Sequence, residues 1–320
     1  MEETKIKIQQ RNLNIPIPTV EFPTSKISVG SPSQEKLVYL NNYFVCDSQY
    51  NHWKEDNGKP LAGSSPYIAV RETVLKKLKK AESFLPDGYR FKIYDAYRPI
   101  AVQQSLWDYF RAKEKAKNPH LSEEEIDKRT SFCVSFPSYN ILHPSLHNTG
   151  GAVDLTIIDK NGNELDMGCE FDDFTEKAWT NHFEPDCYNG ERNFAARNNR
   201  RMLYNAMISA GFTNLPSEWW HFDYGDDKWA QLNNTQPIYA GILAAEIKET
   251  VPYPNMRIVK EADILQQKQA RAILQAQEVC KNSCIDLENV VKYAKEENVE
   301  VNVNKQMLVS DKEIEEAVEL

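Results

Sequence analysis

From Tyr67 to Leu85 the apolar side chains Ile68, Val70, Val74, Leu75, Leu78, Ala81 and Leu85 recur at helical spacing, and Pro86-Asp87-Gly88 breaks the pattern. The spacing predicts a helix over 67–85. Directly afterwards the period drops to two: Arg90 to Tyr94 alternates polar and apolar residues, which predicts a strand ending at Asp95-Ala96-Tyr97-Arg98-Pro99. A second helix is expected over 101–116, with Val102, Leu106, Tyr109 and Phe110 on one face, and Ser122-Glu-Glu-Glu reads as the N-terminal capping pattern of a short third. Between Ser145 and Ile158 the run SLHNTGGAVDLTII takes paired glycines straight into alternating apolar residues, as a loop entering a strand does. Asp159-Lys-Asn-Gly is a hairpin-type turn signal. A helix over 198–210 turns Met202, Leu203, Ala206 and Met207 inward and stops at Gly211 in the C-cap place, after which Glu218 to Tyr224 is aromatic and strand-like.

Helices thus alternate with antiparallel-looking strands, and neither G-x-G-x-x-G nor a Walker pattern occurs. The fold class expected is α+β, a central antiparallel sheet flanked by helices with a mainly helical C-terminal appendage. Residues 1–40, where Pro, Ser and Gly punctuate short apolar runs, are expected to be extended, and 41–240 to form the main body. Beyond 241 the composition turns Gln-, Ala- and Lys-rich, with Ile258, Ile264, Leu265 and Ile273 on one helical face and a helix, short strand, helix pattern over 285–320. Residues 241–320 therefore read as an extension of unknown role that leaves room for contact with a second copy or a partner.

Composition narrows the classes. The 320 residues carry a net charge of -9 and no basic stripe, so a phosphate-neutralising surface is not expected and nucleic acid is excluded as a partner. No run approaches the roughly 18 apolar residues needed for a membrane span, and the N-terminus lacks a basic and then apolar leader, so a cytoplasmic protein is expected. The six cysteines, Cys46, Cys133, Cys169, Cys187, Cys280 and Cys284, are too scattered for a disulfide framework. Cys280 and Cys284, four apart on a predicted helix, could share a metal, though no second pair at ligand spacing supports that reading.

Six histidines supply imidazole, at 52, 120, 143, 147, 182 and 221. His143 and His147 have i, i+4 spacing, but Pro144 between them and Asn-Thr-Gly-Gly after them argue against a helix there. A better trio is His147, Asp154 and His221, since two imidazoles and a carboxylate leave a fourth tetrahedral position for water. On spacing alone each of the three also reads as a hydrogen-bonded core group. In a straight strand Glu218 and His221 would face opposite sides, so a bend must precede His221 if both are to reach one ion.

The whole pattern is more specific than its parts. Asp95-Ala-Tyr-Arg98-Pro99, Ser145-Leu-His147-Asn-Thr-Gly150-Gly-Ala152-Val-Asp154, the stretch Asp166-Met-Gly-Cys-Glu-Phe171-Asp172 and Glu218-Trp-Trp-His221 occur in this order, and together they resemble the zinc D-alanyl-D-alanine dipeptidase family and its D,D-carboxypeptidase relatives. The resemblance spans about 40 to 227. It implies a catalytic domain over 41–240 with one Zn2+ per chain, metal ligands His147, Asp154 and His221, a general base at Glu218 and a transition-state arginine at Arg98. It also implies substrate contacts from Ser145 and Asp172, Asp172 at the amino end of a small D,D-dipeptide. Cys169 departs from the small hydroxyl residue usual in the family, which bears on packing near Asp172.

Zinc-activated water with Glu218 as proton carrier would cleave D-alanyl-D-alanine into two D-alanines. Two rivals stay open. One is a D,D-carboxypeptidase or other peptidoglycan peptidase on the same zinc core; the other is a catalytically silent binding module, against which the presence of both Glu218 and Arg98 speaks. Arg98 also reads as a surface ion pair, Asp172 as a turn residue, and Trp219 and Trp220 as packing that orients His221.

Overall fold

The computed structural model describes residues 12–21, 27–185, 190–243 and 247–248. In chain order its elements are β1 (Leu37–Tyr39), β2 (Val45–Cys46), β3 (Ala69–Arg71), α1 (Glu72–Glu82), β4 (Arg90–Asp95), α2 (Ile100–Lys117), α3 (Glu123–Thr130), β5 (Val153–Ile158), α4 (Glu191–Ala210), β6 (Thr213–Asn214), β7 (His221–Asp223), α5 (Asp227–Leu232) and β8 (Ile247–Lys248). The class is α+β.

The central sheet has the order β2-β4-β5-β7-β6. All its pairings are antiparallel except β2 with β4, a parallel edge that the alternation pattern did not disclose. β5 is buried along its whole length, so both faces of the sheet are covered there. On one face Phe91 and Ile93 stand opposite Ile157 and Leu155, and against them pack Val74, Leu75, Leu78 and Ala81 of α1 with Leu203, Ala206, Met207 and Ala210 of α4. Val74 and Leu78 are fully buried, which contributes roughly 1.5–3 kcal/mol each. The register slips between Ile93 and Asp95, an irregularity that sets Asp95 opposite Asp154 in place of Tyr94.

A second cluster, Tyr50, Trp53, Val102, Leu106, Trp107 and Val134, joins α2 to the loops beside it. α3 is fastened to α2 by Arg111, which meets Asp127 and Glu123, and it begins with the capping box expected at Ser122 and Glu125. α4 ends at Gly211 with φ 97°, as its C-cap position predicts.

Some expectations need correction. The helix expected from residue 67 begins only at Glu72, because residues 69–71 pair with β1 as a strand. α4 starts at Glu191, seven residues before the expected start, and the strand expected over 218–224 is confined to His221–Asp223. A small second sheet, β3-β1-β8, was not foreseen. The stretches 12–21 and 27–36 have no helix or strand. The helical pattern expected beyond 241, Cys187 and the Cys280/Cys284 pair lie outside the described residues, apart from β8, which runs parallel to β1. Cys46, Cys133 and Cys169 are free thiols. Among the described residues no helix is long and apolar enough to cross a membrane.

Candidate active site

Strand register builds the site. β5 pairs Asp154 with Asp95 on one side and with His221 on the other, and directly opposed residues share a face, so three polar side chains form a row across the sheet. His147 reaches the row from the 3-10 turn Leu146–Thr149. The two glycines that follow are required: Gly150 has φ 72°, and a Cβ on Gly151 would lie 2.3 Å from the Tyr224 carbonyl oxygen. Arg71 clamps the turn, its Nε donating to Thr149 O at 2.8 Å and its backbone N–H to Gly150 O at 3.0 Å.

His147 Nε2 lies 3.1 Å from His221 Nδ1 and 3.2 Å from Asp154 Oδ2, and His221 Nδ1 lies 3.0 Å from Asp154 Oδ1. The outer ring nitrogens are fixed as well. His147 Nδ1 is 2.8 Å from Ala96 O, and His221 Nε2 is 2.8 Å from Asp223 Oδ1. Carbonyl and carboxylate oxygens only accept, so each outer nitrogen carries a proton, and in the neutral ring each inner nitrogen presents a lone pair. Two lone pairs and a buried carboxylate confronting one another at such distances repel unless a positive charge lies among them. Burial would raise Asp154, but His147 and His221 hold it well below the usual carboxylate range. Burial would lower His221, yet Asp223 and Asp154 lift it well above its ordinary value. The donor set therefore suits a divalent cation with imidazoles oriented by outer hydrogen bonds, and among the described residues it is the group of His, Cys, Asp or Glu side chains that could hold one.

Residues 37–240 match the family model described as D-ala-D-ala dipeptidase. The chain belongs to this dipeptidase family. A D-alanyl-D-alanine dipeptidase of Synechocystis sp. is 36% identical over 195 residues, 56% of this chain and 78% of that protein. One of Escherichia coli is 33% identical over 170 residues, covering 52% and 71%. One of Enterococcus faecium is 25% identical over 186 residues, covering 57% and 87%. Among solved structures, a variant of the vancomycin resistance D,D-pentapeptidase VanY from a VanB-type cassette, in complex with Zn(II), shares 19% identity over 50% of this chain and 75% of that one, with TM-score 0.31. VanYB in complex with D-alanine-D-alanine shares 18% over 54% and 82%, with TM-score 0.33. Family membership makes the chain a metallopeptidase.

The other residues that the dipeptidase-family motifs single out gather around the donor trio, in a chamber of about 80 Å³ lined in part by Arg98, Ser145, Asp172 and Glu218. The bend that the sequence demands is present: Glu218 N–H donates to Leu215 O and His221 N–H to Glu218 O, so Glu218 precedes β7 in a turn and its Oε2 lies 3.9 Å from His221 Nδ1. Burial raises the Glu218 carboxyl above its ordinary value, eased by His221, although 31% of the side chain stays exposed. Trp219 and Trp220 are buried packing residues, as expected.

Arg98 is not a surface ion pair. It is 8% exposed; its Nε donates to Asp95 Oδ2 at 2.8 Å, its Nη1 to Gln103 Oε1 at 3.0 Å and its Nη2 to Tyr50 Oη at 3.2 Å, with Asp154 Oδ2 at 3.7 Å. Burial opposes its charge, but Tyr50, Asp95 and Asp154 hold it above its ordinary value. Asp172 has φ 59° and accepts from Tyr50 Oη at 3.4 Å; burial, then the charge of Asp154, push it well above the usual carboxylate range, with Arg98 acting against them. The Cys169 departure is met by Arg200, whose Nη2 lies 3.5 Å from the thiol sulfur.

The sequence reading missed Tyr50, Gln103 and Asp223. Tyr50 and Gln103 sit where no motif points, although Asp223, two residues past His221, could have been found as a hydrogen-bond partner at strand spacing. His143 takes no part in the trio; its Nε2 is 2.8 Å from Ser28 Oγ. His52 is engaged with Asp47 and Ser48, and His120 is exposed.

Proposed function

We propose that this chain hydrolyses free D-alanyl-D-alanine to two D-alanines, with one Zn2+ held by His147 Nε2, Asp154 and His221 Nδ1. The observation that carries this reading is the convergence of two imidazole nitrogens and a buried carboxylate, with the outer nitrogen of each ring already hydrogen-bonded. Zinc bound there would lower the pKa of a water to about 7, supplying the nucleophile at neutral pH. Glu218, beside His221 with a raised pKa, is suited to accept the proton of the attacking water and to return it to the departing amine. Arg98, pinned through Nε and Nη1, keeps Nη2 turned toward Asp154 and is suited to donate to the oxyanion, a contribution typically near 3 kcal/mol. Ser145 and Asp172 would grip the two ends of the dipeptide. The small chamber and an acidic group at one end favour a free ammonium over a longer, acylated peptide.

Metal analysis paired with a D-Ala-D-Ala hydrolysis assay tests the reading. One equivalent of zinc is expected, with activity lost on chelation, restored by zinc and reduced about 100-fold or more in Glu218→Gln. Turnover indifferent to chelation would sink the mechanism. Preference for N-acylated D-Ala-D-Ala would transfer the chain to the carboxypeptidases, and a zinc-loaded but inert protein would favour a binding module.

A further inference from the structure

At and just past residue 240, where the family match ends, the chain forms a strap across the loop that carries Ser145 and His147. Ala240 O accepts from Arg71 Nη2 at 3.4 Å, the guanidinium that also holds Thr149 O. Gly241 N–H donates to Ile141 O at 2.8 Å on one limb of the loop. Ile242 meets Asn148 on the other limb in a paired contact: its N–H donates to Asn148 Oδ1 at 3.0 Å and to Asn148 O at 3.1 Å, while Asn148 Nδ2 donates to Ile242 O at 2.9 Å. The same Nδ2 lies 3.3 Å from Arg98 O, and Arg98 N–H donates to His147 O at 3.2 Å. Asn148 is buried, and only an amide serves all these contacts: a carboxylate would set oxygen against two carbonyls, and an aliphatic side chain would give neither of them a donor. Gly241 is needed for space, since a Cβ there would lie 2.9 Å from both Asn148 Oδ1 and Pro144 Cβ and 3.3 Å from Ile141 Cα.

We propose that Asn148 is a positioning residue for the reaction, joining His147 and Arg98 into one unit that the strap 240–242 holds in place. The bonds close a ring, from His147 O to Arg98 N–H, from Arg98 O to Asn148 Nδ2 and back through the peptide between 147 and 148. Within such a ring the metal donor and the oxyanion donor cannot shift independently, and catalysis is sensitive to displacements on the order of 1 Å. The strap fixes the ring from outside, so the first residues past the family match take part in the site. The inference rests on the reading of His147 as a zinc donor and Arg98 as the oxyanion donor.

Two variants of the full chain, measured well below their melting temperatures, test this from opposite sides. Asn148→Ala deletes the bridge, and Gly241→Ala pushes the strap away while leaving Asn148 intact. Zn2+ affinity, measured by competition with a chromophoric chelator, is expected to fall about tenfold in Asn148→Ala, and the visible absorption bands of the Co2+-loaded protein, which report ligand geometry, should shift. With Zn2+ saturating, kcat for D-Ala-D-Ala should fall about 10–100-fold while KM stays within about threefold, because the displaced groups act on the metal and the transition state. Gly241→Ala should reproduce these changes at smaller size, which keeps the test open if Asn148→Ala folds poorly. Hydrogen exchange at the Arg98 amide, a readout that needs no metal, should quicken about 2–10-fold in both variants, the worth of one hydrogen bond. Variants that melt lower but keep the parent's Zn2+ affinity, Co2+ spectrum and kcat would show a purely structural role and overturn the proposal. A parent that binds neither Zn2+ nor Co2+ would sink the reading of the trio instead; unchanged exchange at Arg98 would then overturn the bridge, and faster exchange would uphold it.

Discussion

Asp172 illustrates how one side chain sets a pH profile. Its φ of 59° lies in the left-handed region, which Asn and Asp tolerate better than most residues, so Asp172→Asn leaves the backbone undisturbed. Burial and Asp154 raise its pKa and so favour the neutral acid, whereas a substrate ammonium needs the carboxylate. KM for D-Ala-D-Ala is therefore expected to fall as pH rises through the folded-state pKa of Asp172, until the ammonium itself titrates near pH ~8. Asp172→Asn should raise KM about 10–100-fold, the worth of a charge-assisted hydrogen bond, and flatten that slope. A slope unchanged in the variant would remove Asp172 from the amine end. That His147, Asp154, His221, Glu218 and Arg98 come together was legible because they occur within ordered motifs. Tyr50 was not, since it arrives from a short 3-10 turn and meets Arg98 and Asp172 across 48 and 122 positions of sequence.

Arg200 does at the scale of elements what no periodicity announces. From the inner face of α4 it donates to Met167 O at 2.7 Å and to Trp179 O and Lys177 O at 2.6 Å each, so one helix holds the loop that carries Phe171 and Asp172. Burial lowers its pKa to about 10, yet it stays charged at neutral pH. Arg200→Met fills the space but orphans the buried Met167 carbonyl at about 1–3 kcal/mol and strips two half-buried ones of their donor at less, which predicts a melting temperature lower by roughly 4 °C or more. Arg200→Lys should recover only part of this, and scanning calorimetry showing no loss would mean that the loop is held elsewhere. Helix periodicity located α1, α2 and α4 but not the starts of α1 and α4. Ile68 and Val70 satisfy periods of both two and 3.6, and the choice between them is made by β1, thirty residues away, through the pairing of Val38 with Val70.

For the molecule as a whole, alternation and capping sufficed to give an α+β sheet with helices, while the small second sheet escaped because its strands are only two or three residues long. The stretch 12–21 is tied down by side chains rather than by a ladder: Ile17 N–H donates to Glu184 Oε1 at 3.0 Å, Asn205 donates to Leu13 O and Ile15 O, and Arg201 pairs with Glu184. Burial would raise Glu184, but Arg201 and the Ile17 amide bring it below its ordinary value. A depressed folded-state pKa gives stability that is present above the unfolded value near 4.3 and is lost as pH falls through the folded one. The protection factor of the Ile17 amide in hydrogen exchange should accordingly drop on acidification below about pH 4, and Glu184→Gln should abolish that dependence. Protection that ignores both pH and the variant would mean that apolar burial of Ile17 alone secures the segment.

The row Asp95, Asp154, His221 carries a consequence for refolding. Side chains in a strand alternate, so a slip of β5 by a single position would present Val153 or Leu155 where Asp154 belongs and leave the two imidazoles without their oxygen donor. If zinc is held as proposed, a misthreaded sheet with ordinary strand content would be blind to it, and only correctly aligned chains would gain the added stability of the bound ion.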